Sequence, residues 1–327
     1  MAVVHVDLID RETVTDSDIA AWHDCFVTCL RDMFPDEPLP PTGFLADLAR
    51  NPGTHRPRRY FLAWDDGRTR VLGYAETHWH DGAEIHRLQT YVEVVPDARR
   101  RGVGRALVDA VRAAAVAEGR TSLLGSAPYA GPGIDFARAV GAKFGLDEIR
   151  SVYRLGVAPA PAKSVDGLSI VSWDAHCPDE YLASFADLRA VMNSAPQGGD
   201  VEYPDDVWDS DRVRRIEATL REQSVRLYVV AARDDRTSEL IGYTEVALFD
   251  TWPEFGEQWD TGVLPEYRGH GVASWVKTEM LLRLHRDFPK LQLLATWNAA
   301  VNDSMLAVNK RLGYGERQRW IESEVTV

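Results

Sequence analysis

"PDARRRGVGRAL" (Pro96–Leu107) and "PEYRGHGVASW" (Pro265–Trp275) decide how this sequence is read. Each places an arginine three residues after a proline and a glycine three residues after the arginine, then runs into a stretch suited to a helix. Arg268 follows Arg99 by 169 residues, and Pro265 follows Pro96 by the same interval. A turn so poor in side chain, written twice at one spacing, predicts a duplicated unit.

The interval holds well beyond the turns. "GYAET" at Gly73 and "GYTEV" at Gly242 keep it. Upstream, "RRYFLAWDDGRTRVLGYAE" parallels "VRLYVVAARDDRTSELIGYTE", each a strand, a polar bend and a second strand. Downstream, "TSLLGS" matches "LQLLAT", and "ARAVGAKFG" matches "NKRLGYGE". Each copy opens with a strand ("VVHVDLI"; "LSIVSW") and a helix-periodic segment ("DIAAWHDCFVTCLRDMF"; "DEYLASFADLRAVMN"). A loop, the hairpin, a third strand and the glycine turn follow, and the turn opens a long helix. "GVAPAPAKSVDG" (Gly156–Gly167) is small, Pro-rich and polar, and reads as a linker. Two α+β domains are expected, at 1–158 and 168–327, joined at 159–167.

Composition bounds the function. The chain has 327 residues, 45% hydrophobic and 27% charged, as in a soluble globular protein. It has no apolar run of about 20 residues, and "MAVVHVDLIDRE" lacks the pattern of a secretory signal. A cytoplasmic protein without a membrane partner is expected, as a monomer or homodimer. The net charge of −13 argues against a nucleic-acid partner, which demands clustered Lys and Arg. Cys25 and Cys29, near His23, suit buried thiols better than zinc, and His78, His80 and His86 suit a polar cleft better than a metal. No metal is expected.

A strand that enters a helix through glycines makes an anion cradle, because the first N–H groups of a helix lack partners. Neither copy has the Gly-Lys-Ser/Thr ending of a P-loop. The first copy lacks the third glycine of a dinucleotide fingerprint, and its turn comes late in the domain. What remains is Arg-x-x-Gly-x-Gly/Ala after an apolar strand: Arg99-x-x-Gly102-x-Gly104 and Arg268-x-x-Gly271-x-Ala273. This resembles motif A of the GNAT acyltransferases, over nearly the whole chain and twice. "TWNAAVNDSMLAVNKRLGY" (Thr296–Tyr314) resembles the family's motif B through Asn302, Met305, Gly313 and Tyr314.

The resemblance implies two tandem domains, each a mixed, mostly antiparallel sheet splayed at the coenzyme A site, with flanking helices. It implies that acetyl-CoA is the cosubstrate. In the first copy it would run along Val94 and Val95 and over Arg99, Arg100, Arg101, Gly102, Val103, Gly104 and Arg105. In the second it would run along Val263 and Leu264 and over Arg268, Gly269, His270, Gly271, Val272 and Ala273, with Asn298, Asn302 and Asn309 nearby.

Transfer to an amine needs a base for the ammonium proton. The second copy offers Glu257, Asp260 and Glu245; Glu257 stands eleven residues before Arg268, a place the family often uses. The first copy has Leu88 at the matching place, with Glu76, Glu84, His86 and Glu93 around it. Where the family usually has an acidic tyrosine, the copies have Asn309 and Ala137, and Tyr314 is a further candidate for the chemistry. The loop with Asp200, Glu202, Asp205 and Asp206 suits a cationic acceptor, and Trp79, Trp252, Trp259, Trp275 and Trp297 each suit core packing better than a substrate groove. The expected function is N-acetyl transfer to a primary amine of a small, cationic molecule, by the second copy. The alternative is an acyl-CoA-binding regulatory or scaffold module without turnover.

Overall fold

The computed structural model describes residues 4–53, 57–79, 84–196, 199–201 and 203–327. Its residues divide into two compact units. The first holds Met1–Gly145 with Gly199–Tyr203 and Ile321–Val327; the second holds Leu146–Gly198 and Pro204–Trp320.

In the first unit the order is β1 (His5–Leu8), α1 (Asp16–Met33), α2 (Thr42–Arg50), β2 (Arg58–Trp64), β3 (Val71–Trp79), β4 (Arg87–Val94), α3 (Val103–Ala117), β5 (Ser122–Pro128) and α4 (Gly133–Ala139). β6 (Lys143–Arg154) begins there and continues into the second unit. The second unit repeats the scheme as β7 (Leu168–Asp174), α5 (Asp179–Arg189), α6 (Ser210–Glu222), β8 (Val225–Asp234), β9 (Leu240–Phe249), β10 (Trp252–Val263), α7 (Val272–Asp287), β11 (Leu293–Ala299) and α8 (Asp303–Arg311). β12 (Gly315–Thr326) begins in the second unit and ends in the first.

Each sheet is mixed. β1 to β4 pair antiparallel in sequence order, as do β7 to β10, and one parallel pair follows in each, β4 with β5 and β10 with β11. The fold class is α+β, as the repeat predicts. Two helices of this scheme are absent from the sequence reading. α2 lies just after the proline-rich loop. α6 starts at Asp209, whose carboxylate caps the Arg212 N–H, and buries Val213 and Leu220.

The closing strands are exchanged. β11 is flanked by β6, with Glu148–Arg154 antiparallel to Leu293–Ala299, so a segment that follows the first copy in sequence completes the second sheet. Residues 321–327 belong to the first unit, where β5 has β12 as its neighbour. Glu324 there accepts hydrogen bonds from Ser122 Oγ (2.7 Å) and Arg87 Nε (3.0 Å). The Pro-rich linker is not a free tether, since its Ala162 and Val165 pack on the second core.

That core lies between α7 and its sheet: Val272, Trp275, Val276, Met280, Leu281 and Leu284 meet Val230, Ile241, Val246, Leu294 and Tyr314. α1 is closed at its start by a capping box between Thr15 and Asp18, and its buried face carries Ile19, Trp22, Cys25 and Cys29. Among the described residues no helix is long and apolar enough to cross a membrane.

Replacement of Glu324 tests the closing strand. Arg87 is buried and, among the described residues, would keep Glu84, at 2.5 Å, as its one ion-pair partner. Glu324→Ala should lower stability by about 1–3 kcal/mol, read as a lower midpoint of urea unfolding.

Candidate active site

Both sheets open within one residue of the same step. In the first unit β4 and β5 pair only over Arg87–Gln89 and Ser122–Leu124. Beyond Gln89, β4 keeps its bonds to β3 as far as Val94 and has no register with β5. In the second unit β10 and β11 pair over Phe255–Glu257 and Leu293–Ala295, then part. β10 also carries an irregularity against β9 between Gln258 and Thr261. The buried Gln258 side chain fills it, Nε2 donating to Thr244 Oγ1 (3.0 Å) and to the Glu245 carbonyl (2.7 Å). Each sheet therefore contains a fork with unpaired backbone along one arm.

The turn at the end of that arm has the same backbone twice. Two residues take left-handed φ: Arg100 (64°) and Gly102 (92°) in the first copy, Gly269 (80°) and Gly271 (83°) in the second. Arg99 and Arg268 are half-buried and exposed, and both act as braces. Nε of each donates to the carbonyl of the last strand residue, Val94 or Val263, at 3.0 Å. Their outer nitrogens reach Asp32 (2.6 Å) and Ser194 (2.9 Å).

The hairpin glycines complete the seat. A Cβ on Gly242 would stand 2.7 Å from Val272 Cγ1, and one on Gly73 would stand 2.6 Å from the Glu93 carbonyl. The helix start can lie this close to the sheet because those residues have no side chain. α3 and α7 have no side-chain cap, and their first bonds run from Ala106 to Gly102 and from Trp275 to Gly271. The N–H groups of Val103, Gly104 and Arg105, and of Val272, Ala273 and Ser274, precede those bonds, so they lie at the positive end of the helix dipole. Val95, Val103, Val263 and Val272 are buried beneath the turns; Arg100, Arg101, Arg105 and His270 are exposed; Val94, Leu264, Gly104 and Ala273 lie between.

The carboxylates of the second unit separate into two kinds. Glu245 and Asp260 are held by one guanidinium: Arg189 donates to Glu245 Oε2 at 2.5 Å and to Asp260 Oδ2 at 3.4 Å. Glu245 is 1% exposed, and burial pushes its carboxyl up to about 7 against the pull of Arg189. Glu257 is half-buried on the last paired step of the fork, where Oε2 accepts from Trp259 Nε1 at 3.0 Å. In the first unit the matching Leu88 is buried. Glu93, on the unpaired stretch of β4, has its carboxyl pushed up to about 7 by burial, with Asp32 adding to the rise and Arg99 opposing it.

The motif B residues have structural partners. Asn302 Oδ1 caps α8 at the Met305 N–H (3.2 Å). The buried Asn309 donates Nδ2 to Asn298 Oδ1 at 2.7 Å, and its own oxygen is enclosed without a partner. Tyr314 sits in the core, its hydroxyl enclosed and its phenol pushed up by burial. Ala137 is buried in α4. Asp206 is paired with Arg212 at 2.8 Å, Asp200 belongs to the first unit, and Glu202 lies outside the described residues, as does His80. His78 stands beside Tyr91, ring centroids 6.1 Å apart. Among the described residues no three His, Cys, Asp or Glu side chains gather as metal ligands.

The model of the acetyltransferase (GNAT) family matches residues 19–141 and again residues 188–314. The chain belongs to the GNAT family. It is similar to a tandem GNAT protein from the clavulanic acid biosynthesis pathway, solved without AcCoA, at 25% identity and TM-score 0.80, with 99% of this chain and 98% of that one covered. A GCN5-related N-acetyltransferase from Sphaerobacter thermophilus shares the fold at 14% identity and TM-score 0.72, covering 99% and 95%. Comparison with curated protein sequences found no match.

This GNAT acetyltransferase has three site features that the sequence reading missed: Arg189, Trp208 and Tyr243. Arg189 lies on a helix whose other inward residues are apolar, and its partners are 56 and 71 residues away, so no local pattern marks it.

One buried amine lies on α7, which starts at the second turn. Lys277 is 2% exposed, its ammonium 5.1 Å from the Tyr314 ring centroid, and burial pulls it down to about 7. Tyr153, hydrogen-bonded to His285 at 3.0 Å, packs on the same ring. Above pH 7 the unfolded chain holds a proton on Lys277 that the folded chain has lost, so stability rises with pH. Between about pH 7.5 and 9 this group should add up to about 1.4 kcal/mol per pH unit. Urea titrations at several pH values should show that slope for the natural protein and a flatter one for Lys277→Met.

Proposed function

We propose that the second unit transfers an acetyl group from acetyl-CoA to a primary amine of a small molecule, with Glu257 accepting the amine's proton. The observation that carries this reading is the position of Glu257. It is the carboxylate on the last paired step of the fork, and among the described residues it has no cationic partner, whereas Arg189 is paired with Glu245 and Asp260. A carboxylate left free of ion pairs can take a proton, directly or through a water.

The donor's seat is the turn. Two left-handed residues and an uncapped helix start form a concave array of N–H groups, the chemistry that suits a pyrophosphate. AcCoA is also the molecule without which the clavulanic-pathway tandem protein was solved. The braced arginines set the shape of this array, and the helix dipole gives it positive potential. The unpaired arm of β10 offers backbone groups to an extended donor arm, as a strand would to a partner strand. An N–H on that arm can polarise the thioester carbonyl. The leaving thiolate is stable enough to depart without a dedicated acid, and water can protonate it. Asn309, bonded to Asn298, stands where the family usually places a tyrosine.

The first unit has the same turn and a fork that carries Leu88 where the second carries Glu257. We infer that it binds acyl-CoA without transferring, so the module reading applies to that copy.

Two measurements test this. Purified protein mixed with acetyl-CoA and a panel of amines should release CoA, and mass spectrometry should find an N-acetyl product. Glu257→Gln should lower kcat/KM by about 10²–10⁴-fold and leave CoA affinity unchanged, with the smallest loss at high pH, where the amine is already neutral. An undiminished rate in Glu257→Gln would move the chemistry elsewhere.

A further inference from the structure

The strand that carries Glu257 has one residue more than its neighbour can match. Gln258 lies opposite Val246 and Thr261 opposite Thr244, so Trp259 and Asp260 together stand against Glu245. A bulge of this kind re-aims side chains. Its effect is visible in the hydrogen bonds. Trp259 Nε1 donates to Glu257 Oε2 at 3.0 Å, and Asp260 Oδ2 accepts from Arg189 at 3.4 Å. Glu257 lies opposite Ala247, two residues from Glu245 along β9, so both glutamates stand on one face of the sheet.

The first fork has no such bulge. Gln89, Thr90 and Tyr91 pair one for one with His78, Thr77 and Glu76. Counted by paired steps, and not by the interval of 169 residues, Gln89 stands where the second fork has Glu257. It too is bonded to an aromatic side chain two residues further on, Nε2 donating to the Tyr91 hydroxyl at 3.1 Å. The geometry recurs and the chemistry is reversed. In the first fork the strand residue is an amide that donates, and in the second it is a carboxylate that accepts. An indole N–H is a donor only, so it holds a carboxylate without competing for its proton.

Holding matters because a glutamate side chain turns about several bonds, and a base works only when aimed at the proton it removes. Arg189, on the same face, is committed to Glu245 and Asp260 and covered by the Trp208 ring, 4.2 Å away. Among the described residues the group that binds the Glu257 carboxylate is the Trp259 indole. One oxygen is fixed by it, and Oε1 is left to accept.

Resting on the transfer reading above, we propose that Trp259 is a positioning residue: its N–H fixes Glu257 Oε2 so that Oε1 is aimed at the incoming ammonium. There the ammonium N–H bond breaks and the Oε1–H bond forms. The freed nitrogen pair attacks the thioester, and the carboxyl returns its proton to solvent. Trp259 acts through Glu257 and not on the reacting atoms.

The experiment uses the full chain, acetyl-CoA and whichever of ethanolamine, benzylamine, glucosamine and spermidine is acetylated fastest. Trp259→Phe keeps a ring and loses the N–H. Its kcat should fall about tenfold, the loss of one positioning hydrogen bond, with the amine KM within about threefold and CoA affinity unchanged. Benzothienylalanine installed at position 259 has sulfur in place of the indole N–H and should reproduce that loss with the packing preserved. In a Glu257→Gln background, Trp259→Phe should cost less than about twofold more, because the carboxylate it acts through is gone. Circular dichroism checks that each variant folds. Full kcat in either variant at 259, or an equal loss in both backgrounds, overturns this proposal and leaves the transfer reading intact. Undiminished turnover in Glu257→Gln, or no CoA release with any of the four amines, overturns the transfer reading and this proposal with it.

Discussion

The bond from an arginine Nε to the carbonyl that ends a strand is the constraint on which each site depends. It occurs twice at the same length, 3.0 Å, at Arg99 and Arg268. A strand that ends in an open carbonyl can leave the sheet in many directions. Bridging that carbonyl to the start of the turn leaves one. The turn then needs two left-handed residues to bring the helix start back over the strand. Three of those four places are glycine, and the fourth, Arg100, adopts φ 64° without a glycine's freedom. The first copy accepts some strain where the second does not.

This explains why the repeat is legible at the turns and at "GY", and blurred elsewhere. Gly73 and Gly242 lie under the valines that open α3 and α7, where a methyl group would collide. The turn and the hairpin glycine are two halves of one steric arrangement, and neither tolerates drift without the other. Loops, by contrast, bear no such demand. The first copy has a short helix after its proline-rich loop and the second has a longer one after an acidic segment.

Much of the fold could be read from the sequence because its signals are local. Hairpin bends, apolar strands and glycine turns act within about ten residues. α6 was also marked, by Asp209 as a cap and by apolar residues at 213, 216 and 220, but an abundance of Arg and Glu reads as loop. The exchange of β6 and β12 was not legible, since each would satisfy either sheet by its pattern alone. At the site, the turns follow from spacing, and Glu257 is a candidate through the family resemblance. Arg189 follows from neither, and it separates the candidate bases: it holds Glu245 and Asp260 and leaves Glu257 free. Tyr314 matches a motif position, yet its side chain serves the core, where the Lys277 ammonium rests near its ring.

The exchanged strands also set an order of events during synthesis. Ser122 and the Glu324 carboxylate that binds it are 202 residues apart in the chain. A ribosome will have made all of the first turn, the linker and nearly the whole second unit before the strand beside β5 exists. Until then the first sheet presents an unpaired edge, the feature by which nascent chains aggregate or pair wrongly. The second sheet has the opposite history, because its flanking strand, β6, is made before any of its other strands. The later copy can therefore mature as soon as it is translated, and the earlier copy must wait for it.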